Sequence, residues 1–276
     1  MPEILEVEEA RQLIESRALD RPIATVDAPD AWYLKRGLTG DVLRCVLPRR
    51  RFTAARRRGK LLLLDTDRDP EWRPGASPGD DAPGPTLGLH LGMTGRVIVD
   101  GAAAGEPLLY ASNRENPAWH RFTIRFRDGG ALALRDPRRL GAVELDPDED
   151  RLGPDAFTVN AAALRAAIGN RRTAIKAALM NQFAIAGLGN LLVDEILWRA
   201  AIDPTRSTAS LERAEQGRLA RSISTTLRVL GRRGGSHTGD LMAARHPGGF
   251  CPRDGAPLRR ETVGGRTTYW CPRHQH

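Results

Sequence analysis

Apolar and polar positions change their period twice along this chain. At the start, EILEVEEARQLIESRAL places Ile4, Val7, Leu13 and Ile14 at helical spacing, which predicts an amphipathic helix. There follow short alternating or wholly apolar runs: TVDAP, DVLRCVLP, KLLLLDTD, LGLHLGMTGRVIVD, HRFTIRFRD, GALALRDP and GAVELD, separated by turn residues. These predict an all-β unit, sandwich or barrel-like, behind the leading helix. Two stretches interrupt it. RDPEWRPGASPGDDAPGPT (68–86) is rich in Pro, Gly and Asp and is expected to be a mobile surface loop, and 100–119 is a second long connection.

Near residue 150 the period becomes helical. AAALRAAIG, TAIKAALMNQ, NLLVDEILWRAA and SLERAEQGRLARSISTTLRVLGR are dominated by Ala, Leu and Arg, which are good helix formers. Asp203-Pro204 and Gly234-Gly235 supply stop signals. The remainder is short and turn-rich, and it carries His237, His246, His274 and His276. The pattern predicts an α+β chain: a β unit over 1–150, a helical unit over 151–236 and a small tail module over 237–276.

Composition narrows the partner. The 276 residues carry 42 basic and 34 acidic side chains, a net charge of +8. Nearly all the positive charge is arginine, since Lys35, Lys60 and Lys176 are the only lysines. Such a balance favours a polyanionic partner. The early acidic residues Glu3, Glu6, Glu8 and Glu9 exclude a signal or transit peptide. No run approaches the apolar length of a membrane span, so a soluble intracellular protein is expected. Three cysteines cannot build a disulfide framework. Cys45, inside DVLRCVL, is expected to be a core residue of a strand.

Five stretches carry candidate chemistry. In the tail, Cys251-x-x-Asp254 is separated by sixteen residues from Cys271-x-x-His274, the layout of a zinc ribbon. Asp is an uncommon structural ligand, and His246 or His276 could replace it; a hairpin without metal is the alternative. Gly187-Leu188-Gly189-Asn190 precedes an amphipathic helix, where the glycines expose backbone N–H groups and Asn190 could cap the helix or reach a phosphate, as a clamp on a DNA backbone would. Arg49, Arg50, Arg51, Arg56, Arg57 and Arg58 lead into Lys60 at the head of an apolar strand, and Arg138 and Arg139 form a second basic turn in DPRRLGAV. Finally, Pro2 is either a proline of the first helical turn or, once Met1 is trimmed, a secondary amine with nucleophilic capacity.

Taken together these motifs resemble, in order and over nearly the whole chain, the formamidopyrimidine-DNA glycosylase/endonuclease VIII family. MPEILEVE is similar to the family's amino-terminal MPELPEVE, and RRGKLLLLD to its lysine-bearing strand. HLGMTG resembles its central strand and DPRRLGA its DPRRFGA turn. TAIKAALMNQFAIAGLGNLLVDE resembles its helix–two-turn–helix element, and GGRTTYWCP its zinc-finger hairpin. The resemblance implies an N-terminal catalytic β-sandwich, a helix–two-turn–helix DNA-binding domain and a zinc-finger-like β-hairpin.

It also implies a bifunctional DNA glycosylase and apurinic/apyrimidinic lyase of base excision repair. Pro2 would be the Schiff-base nucleophile, Glu3 the acid/base, Glu6 a supporting carboxylate, and Lys60 and Arg266 phosphate-binding cations. His90, Lys176 and Asn190 match DNA-contact positions, as does Arg139 beside Arg138 in the basic turn. Met93 and Arg138 match residues that fill the hole left by an extruded base. Structural Zn2+ would be held by Cys251, Asp254, Cys271 and His274. The implied partner is double-stranded DNA with a damaged base or abasic site, met by a monomer in the bacterial cytoplasm. A non-catalytic damaged-DNA-binding paralogue and an RNA-binding protein are the alternatives. Leu5, Leu140 and Leu192 stand where the family has Pro, Phe and an aromatic residue, Asp254 and His274 stand for two cysteines, and 235–251 is short; these departures bear on lesion and opposite-base preference.

Overall fold

A computed structural model of the chain describes residues 2–67, 84–105, 112, 114, 116–169 and 172–276. Most of the Pro/Gly/Asp-rich stretch, and with it the expected mobile loop, lies outside the described residues, as does Met1. The chain divides into two compact units: Met1–Pro2 with Glu6–Asp148, and Glu3–Leu5 with Glu149–His276. No helix among the described residues is long and apolar enough to cross a membrane.

Among the described residues, the first unit contains most of helix α1 (Ile4–Arg17), a short helix α2 (Gly40–Val46) and nine strands. Strands β1 (Ile23–Asp27), β5 (Arg96–Val99), β6 (Ala102–Ala103), β7 (His120–Phe126) and β8 (Ala131–Arg135) form one sheet in the order β1-β7-β8-β5-β6. Strands β2 (Phe52–Arg58), β3 (Leu61–Thr66), β4 (Thr86–His90) and β9 (Ala142–Leu145) form the other, in the order β2-β3-β4-β9. Every neighbouring pair is antiparallel. The two sheets make the β-sandwich that the alternating runs predict. Its core takes Phe52, Leu62, Leu64, Leu87 and Leu89 from one sheet and Ile23, Val97, Phe122, Ile124 and Leu134 from the other, with Val7, Ala10 and Ile14 of α1 packed in.

One local reading is corrected. DVLRCVL is helical, as α2, because the Thr39 hydroxyl accepts from Val42 N–H and caps its start. Leu43 and Leu47, four residues apart, then face the core, and Cys45 falls on the exposed side. Arg56, Arg57 and Arg58 stand ahead of the apolar strand β3, as expected, and are themselves the end of its partner strand β2. Asp65 takes Arg56 in a two-point pair of 2.6 and 2.9 Å, and Glu8 takes Arg57 at 3.1 Å.

The second unit holds helices α3 (Ala161–Ile168), α4 (Ile175–Met180), α5 (Asn190–Ala200) and α6 (Arg213–Arg233), then a hairpin of β10 (Arg259–Val263) and β11 (Arg266–Trp270). Helix α6 starts with a reciprocal capping box between Glu212 and Glu215 and ends on Gly234 in the left-handed region. Ala201, also left-handed, ends α5 ahead of Asp203-Pro204. Gly264 and Gly265, at φ +59° and +73°, form the two-residue turn that pairs Val263 with Arg266. The core of this unit includes Ile4 and Leu5 with Leu188, Leu192, Ile196, Ile223 and Leu230.

Candidate active site

In the first unit, sheet register gathers the candidate residues at one end of the four-stranded sheet. Lys60 occupies the tight turn joining β2 to β3. Leu61, the next residue, pairs with His90 at the end of β4, and His90 pairs with Ala142 of β9. The DPRRLG turn leads directly into Ala142. His90 Nδ1 accepts from Gly92 N–H at 3.0 Å, which starts the turn bearing Met93. That turn lies against Leu140, since a Cβ on Gly92 would meet the Leu140 carbonyl carbon at 2.3 Å. Met93 and Leu140, on these two neighbouring turns, are 39% and 47% exposed apolar side chains. Burial, and then the charge of Lys60, push the His90 pKa down; Asp136 opposes them.

The shape of this basic turn comes from Asp136, which is fully buried. One carboxylate oxygen accepts from the Thr94 hydroxyl and from Arg138 N–H at 3.1 Å. The other accepts from Leu140 N–H at 2.9 Å, Gly141 N–H at 2.8 Å and the Tyr33 hydroxyl at 3.3 Å. Burial, and next the Asp136 charge, raise the Tyr33 pKa far above the usual tyrosine range. Arg139 takes the left-handed conformation at φ +56° and pairs two-point with Asp30 at 2.6 and 2.7 Å. Arg138 and Arg139 are both exposed, and Arg139 is in addition tied to Asp30.

Pro2 is buried and lines a small cavity with Glu6, Glu9, Leu91, Gly95 and Arg96. Spacing along α1 brings Glu6 and Glu9 to that cavity, one helical turn apart. Arg96 donates to the carbonyls of Ala104 and Gly105 from the same wall.

In the second unit, Glu3 is fully buried and sits on the N-terminus of α5. Its carboxylate accepts from Gly189 N–H at 2.9 Å, Leu191 N–H at 2.8 Å and Leu192 N–H at 3.2 Å. These are the N–H groups a helix leaves open at its start, and the helix dipole favours the negative charge there. The glycines of GLGN serve this approach. A Cβ on Gly189 would lie 2.3 Å from the Glu3 carboxyl carbon, and one on Gly187 would lie 2.5 Å from Ile4 Cδ1. Ile4 N–H donates to Gly187 O at 3.1 Å. The N–H groups that sequence reasoning offered to a phosphate are therefore held by Glu3. No local signal links residue 3 to residue 189.

Asn190, the first residue of α5, donates from Nδ2 to Thr267 O at 3.1 Å. Arg266, one residue before Thr267, is exposed at the hairpin turn. Lys176 has no exposed surface. Its ammonium lies 2.6 Å from Asp194 Oδ1 and donates to Thr268 Oγ1 at 2.7 Å and Thr267 O at 3.2 Å. Burial lowers the Lys176 pKa, with Asp194 opposing. The side chain is thus spent on holding the hairpin.

At the base of the hairpin, ligand atoms of Cys251, Asp254, Cys271 and His274 lie within 4.8 Å of one another. His274 Nδ1 is 2.8 Å from Asp254 Oδ2 and 3.7 Å from Cys251 Sγ, while its Nε2 faces Trp198 O at 3.4 Å. That outer contact leaves Nδ1 turned to the cluster, as a metal-ligating histidine requires. Two thiols, an imidazole and a carboxylate at this separation fit a tetrahedral zinc ion. Among the described residues, neither His246 nor His276 joins this cluster.

Residues 1–143 match the family model of the formamidopyrimidine-DNA glycosylase N-terminal domain, and residues 152–240 match that of its H2TH domain. The formamidopyrimidine-DNA glycosylase of Paracoccus denitrificans is 33% identical over 305 residues, covering 99% of each chain. That of Cereibacter sphaeroides is 32% identical over 309 residues, covering 100% of each. Among solved structures, the Lactococcus lactis enzyme in complex with DNA containing FAPY-dG is similar with a TM-score of 0.78 at 28% identity, over 99% of this chain and 100% of that one. The same enzyme on DNA containing an oxidised pyrimidine gives 0.79 at 27% identity, over 100% of both.

Proposed function

Because the chain belongs to the formamidopyrimidine-DNA glycosylase family, and is a DNA glycosylase, we propose that it excises damaged bases through the amine of Pro2 and then cleaves the strand at the abasic site. The observation that carries this reading is the fixing of Glu3 by three backbone amides. Glu3, the residue bonded directly to Pro2, is thus itself anchored by its carboxylate. A positioned nucleophile contributes more than a mobile one.

After removal of Met1, the Pro2 amine titrates near the α-amino range of about 8, leaving a useful neutral fraction at physiological pH. Its lone pair forms a bond to C1′ of the damaged nucleoside. The glycosidic bond breaks, and the base leaves with a proton. Ring opening gives an iminium, with Glu3 and Glu6 as the carboxylates that exchange protons with the sugar. The iminium accepts the electron pair released when a C2′ proton is removed, and the 3′ phosphate leaves. A second elimination releases the 5′ phosphate.

Lys60 and His90 in the first unit and Asn190 and Arg266 in the second are the phosphate contacts of this reading. Met93, Leu140 and Arg138 occupy the space vacated by the extruded base, whose unstacking costs a few kcal/mol. Arg139, through Asp30, supports the contacts of the first unit, and Lys176, through Asp194 and Thr268, supports those of the second. The division into a catalytic sandwich, a helical DNA-binding region and a hairpin module remains our reading of the domains. The protein acts as a monomer on double-stranded DNA in the bacterial cytoplasm. Zinc, when bound by Cys251, Asp254, Cys271 and His274, supplies a structural crosslink at the hairpin base.

Borohydride trapping on a duplex with one abasic site tests the reaction. The mature protein is expected to form a covalent adduct, and Pro2→Gly to form little or none. Tight binding of abasic DNA with no adduct would identify a non-catalytic paralogue. An undiminished adduct in Pro2→Gly would move the nucleophile elsewhere. Chelation tests the metal: about one equivalent of zinc is expected, and its removal should melt the hairpin, with retained binding to undamaged DNA weakened. A tenth of an equivalent or less, on the order of background, would leave a metal-free hairpin.

A further inference from the structure

Helix α5 carries a buried carboxylate that the reaction does not use. Asp194 lies one turn after Asn190, and its side chain has no exposed surface. Besides Lys176 at Oδ1, its Oδ2 takes the Arg245 guanidinium at 2.6 Å and approaches Tyr269 N–H at 3.4 Å. One acid on α5 thereby joins α4, the segment after α6, and β11.

The bonds continue from Asp194 towards the hairpin turn. Lys176 donates to Thr268 Oγ1 at 2.7 Å, and that hydroxyl donates onward to the carbonyl of Arg266 at 3.1 Å. The next carbonyl, Thr267 O, accepts from both Lys176 and Asn190. Thr267 O is therefore held directly from α4 and α5, and Arg266 O is held by the Thr268 hydroxyl that Lys176 of α4 bonds. The exposed Arg266 side chain stands on backbone whose position is set from beneath.

We propose that Asp194 is a positioning residue for strand cleavage: acting through Lys176 and Thr268, it fixes the backbone at Arg266 in register with Asn190. This rests on the reading of Arg266 as a phosphate contact. A carboxylate suits the task because it orients the lysine ammonium, which a neutral acceptor would leave free to rotate. Two buried cations on one acid also make the arrangement intolerant of a loose alternative, since a buried charge without its partner is costly.

A double-mutant cycle with Arg266→Gln tests this on the full-length protein. The readout is the single-turnover cleavage rate on an abasic-site duplex, with affinity for undamaged duplex measured alongside. Thr268→Val removes only the relaying hydroxyl at nearly constant volume and is the variant least prone to misfold. In the native background we expect it to slow cleavage about threefold to tenfold, and Asp194→Asn more than about tenfold, with undamaged-DNA affinity unchanged. In the Arg266→Gln background each should slow cleavage by no more than about twofold, because the group they position is already gone.

The same factor in both backgrounds would make these residues a general support of the fold and overturn the proposal. So would an unchanged rate in Thr268→Val. If Asp194→Asn does not fold, the Thr268→Val cycle alone decides. Should Arg266→Gln cleave as fast as the native protein, the assignment of Arg266 fails first, and the proposal falls with it; that outcome is visible in the single variant.

Discussion

Two fully or almost fully buried aspartates shape the candidate site, and they are satisfied in opposite ways. The Asp136 carboxylate, in the first unit, is bound among the described residues by neutral donors: three backbone N–H groups and the hydroxyls of Thr94 and Tyr33. Asp194, in the second, binds two cations, Lys176 and Arg245. Three of the donors to Asp136 lie within five residues of it, so its work is to fold one turn. The partners of Asp194 are 18, 51 and 75 residues away, so its work is to hold separate elements together. A carboxylate on neutral donors stays charged without demanding a counter-charge. A carboxylate on cations shares its energy with them, and each partner becomes costly when left alone.

The largest expected effect breaks the ionic side of this comparison. Asp194→Ala strands Lys176 in the interior and should destabilise the protein by about 3–5 kcal/mol. Removing both charges, as Lys176→Met with Asp194→Leu, should recover most of that loss, because an ion pair replaced by apolar groups is often neutral or stabilising. Denaturant midpoints measure both. A double variant no more stable than Asp194→Ala would show that Arg245, not Lys176, is the partner that matters. The recovered stability should come without recovered cleavage, since the path to Arg266 is gone.

Asp136→Asn breaks the neutral side and should cost less, about 1–3 kcal/mol. An amide still accepts hydrogen bonds at one oxygen, but its NH2 group must face donors that the second carboxylate oxygen had satisfied. No cation is stranded. The damage should be local: slower exchange protection would be lost at Arg138, Leu140 and Gly141 and kept in the β2–β3 pair. Protection lost throughout the sandwich would mean that the turn is a keystone of the unit and not a local feature.

This contrast also separates what the sequence made legible from what it hid. DPRRLG announces a structured basic turn because the acid and its donors are neighbours. The strands announce themselves through alternation, as in HRFTIRF, where Phe122, Ile124 and Phe126 face the core. The hairpin follows from Gly264-Gly265. Helix α2 escaped because its cap, Thr39, stands outside the apolar run that looked like a strand. Lys176 looks like any basic residue of a DNA-binding helix until Asp194 and Thr268 close over it. The three amides on Glu3 are the extreme case, with 186 to 189 residues separating the partners. Such pairings are fixed by tertiary packing and leave no periodic or local trace. The short motifs therefore located the candidate residues, and only the fold distinguished those that present themselves to a ligand from those that hold others in place.

The smallest effect sharpens the comparison through pH. His90 senses Asp136: burial and Lys60 lower its pKa, and the Asp136 charge works the other way. A histidine whose folded pKa lies below its unfolded value of about 6.5 is protonated first in the unfolded chain. Its contribution to stability is therefore intact above about 6.5 and is lost as pH falls from there towards the folded value. Paired acids such as Asp30, whose pKa Arg139 lowers from 3.8, lose their contribution only in more acid solution. Thermal midpoints at pH 7.5 and 5.5 isolate the histidine. His90→Gln should flatten the fall between these two values by less than about 1.4 kcal/mol, the worth of one pKa unit. Asp136→Asn should steepen it, because the group that favoured the protonated ring has lost its charge. If Asp136→Asn leaves the pH slope of the native protein unchanged, then the charge on Asp136 is fully neutralised by its five donors, and the distinction between the two aspartates becomes one of reach alone.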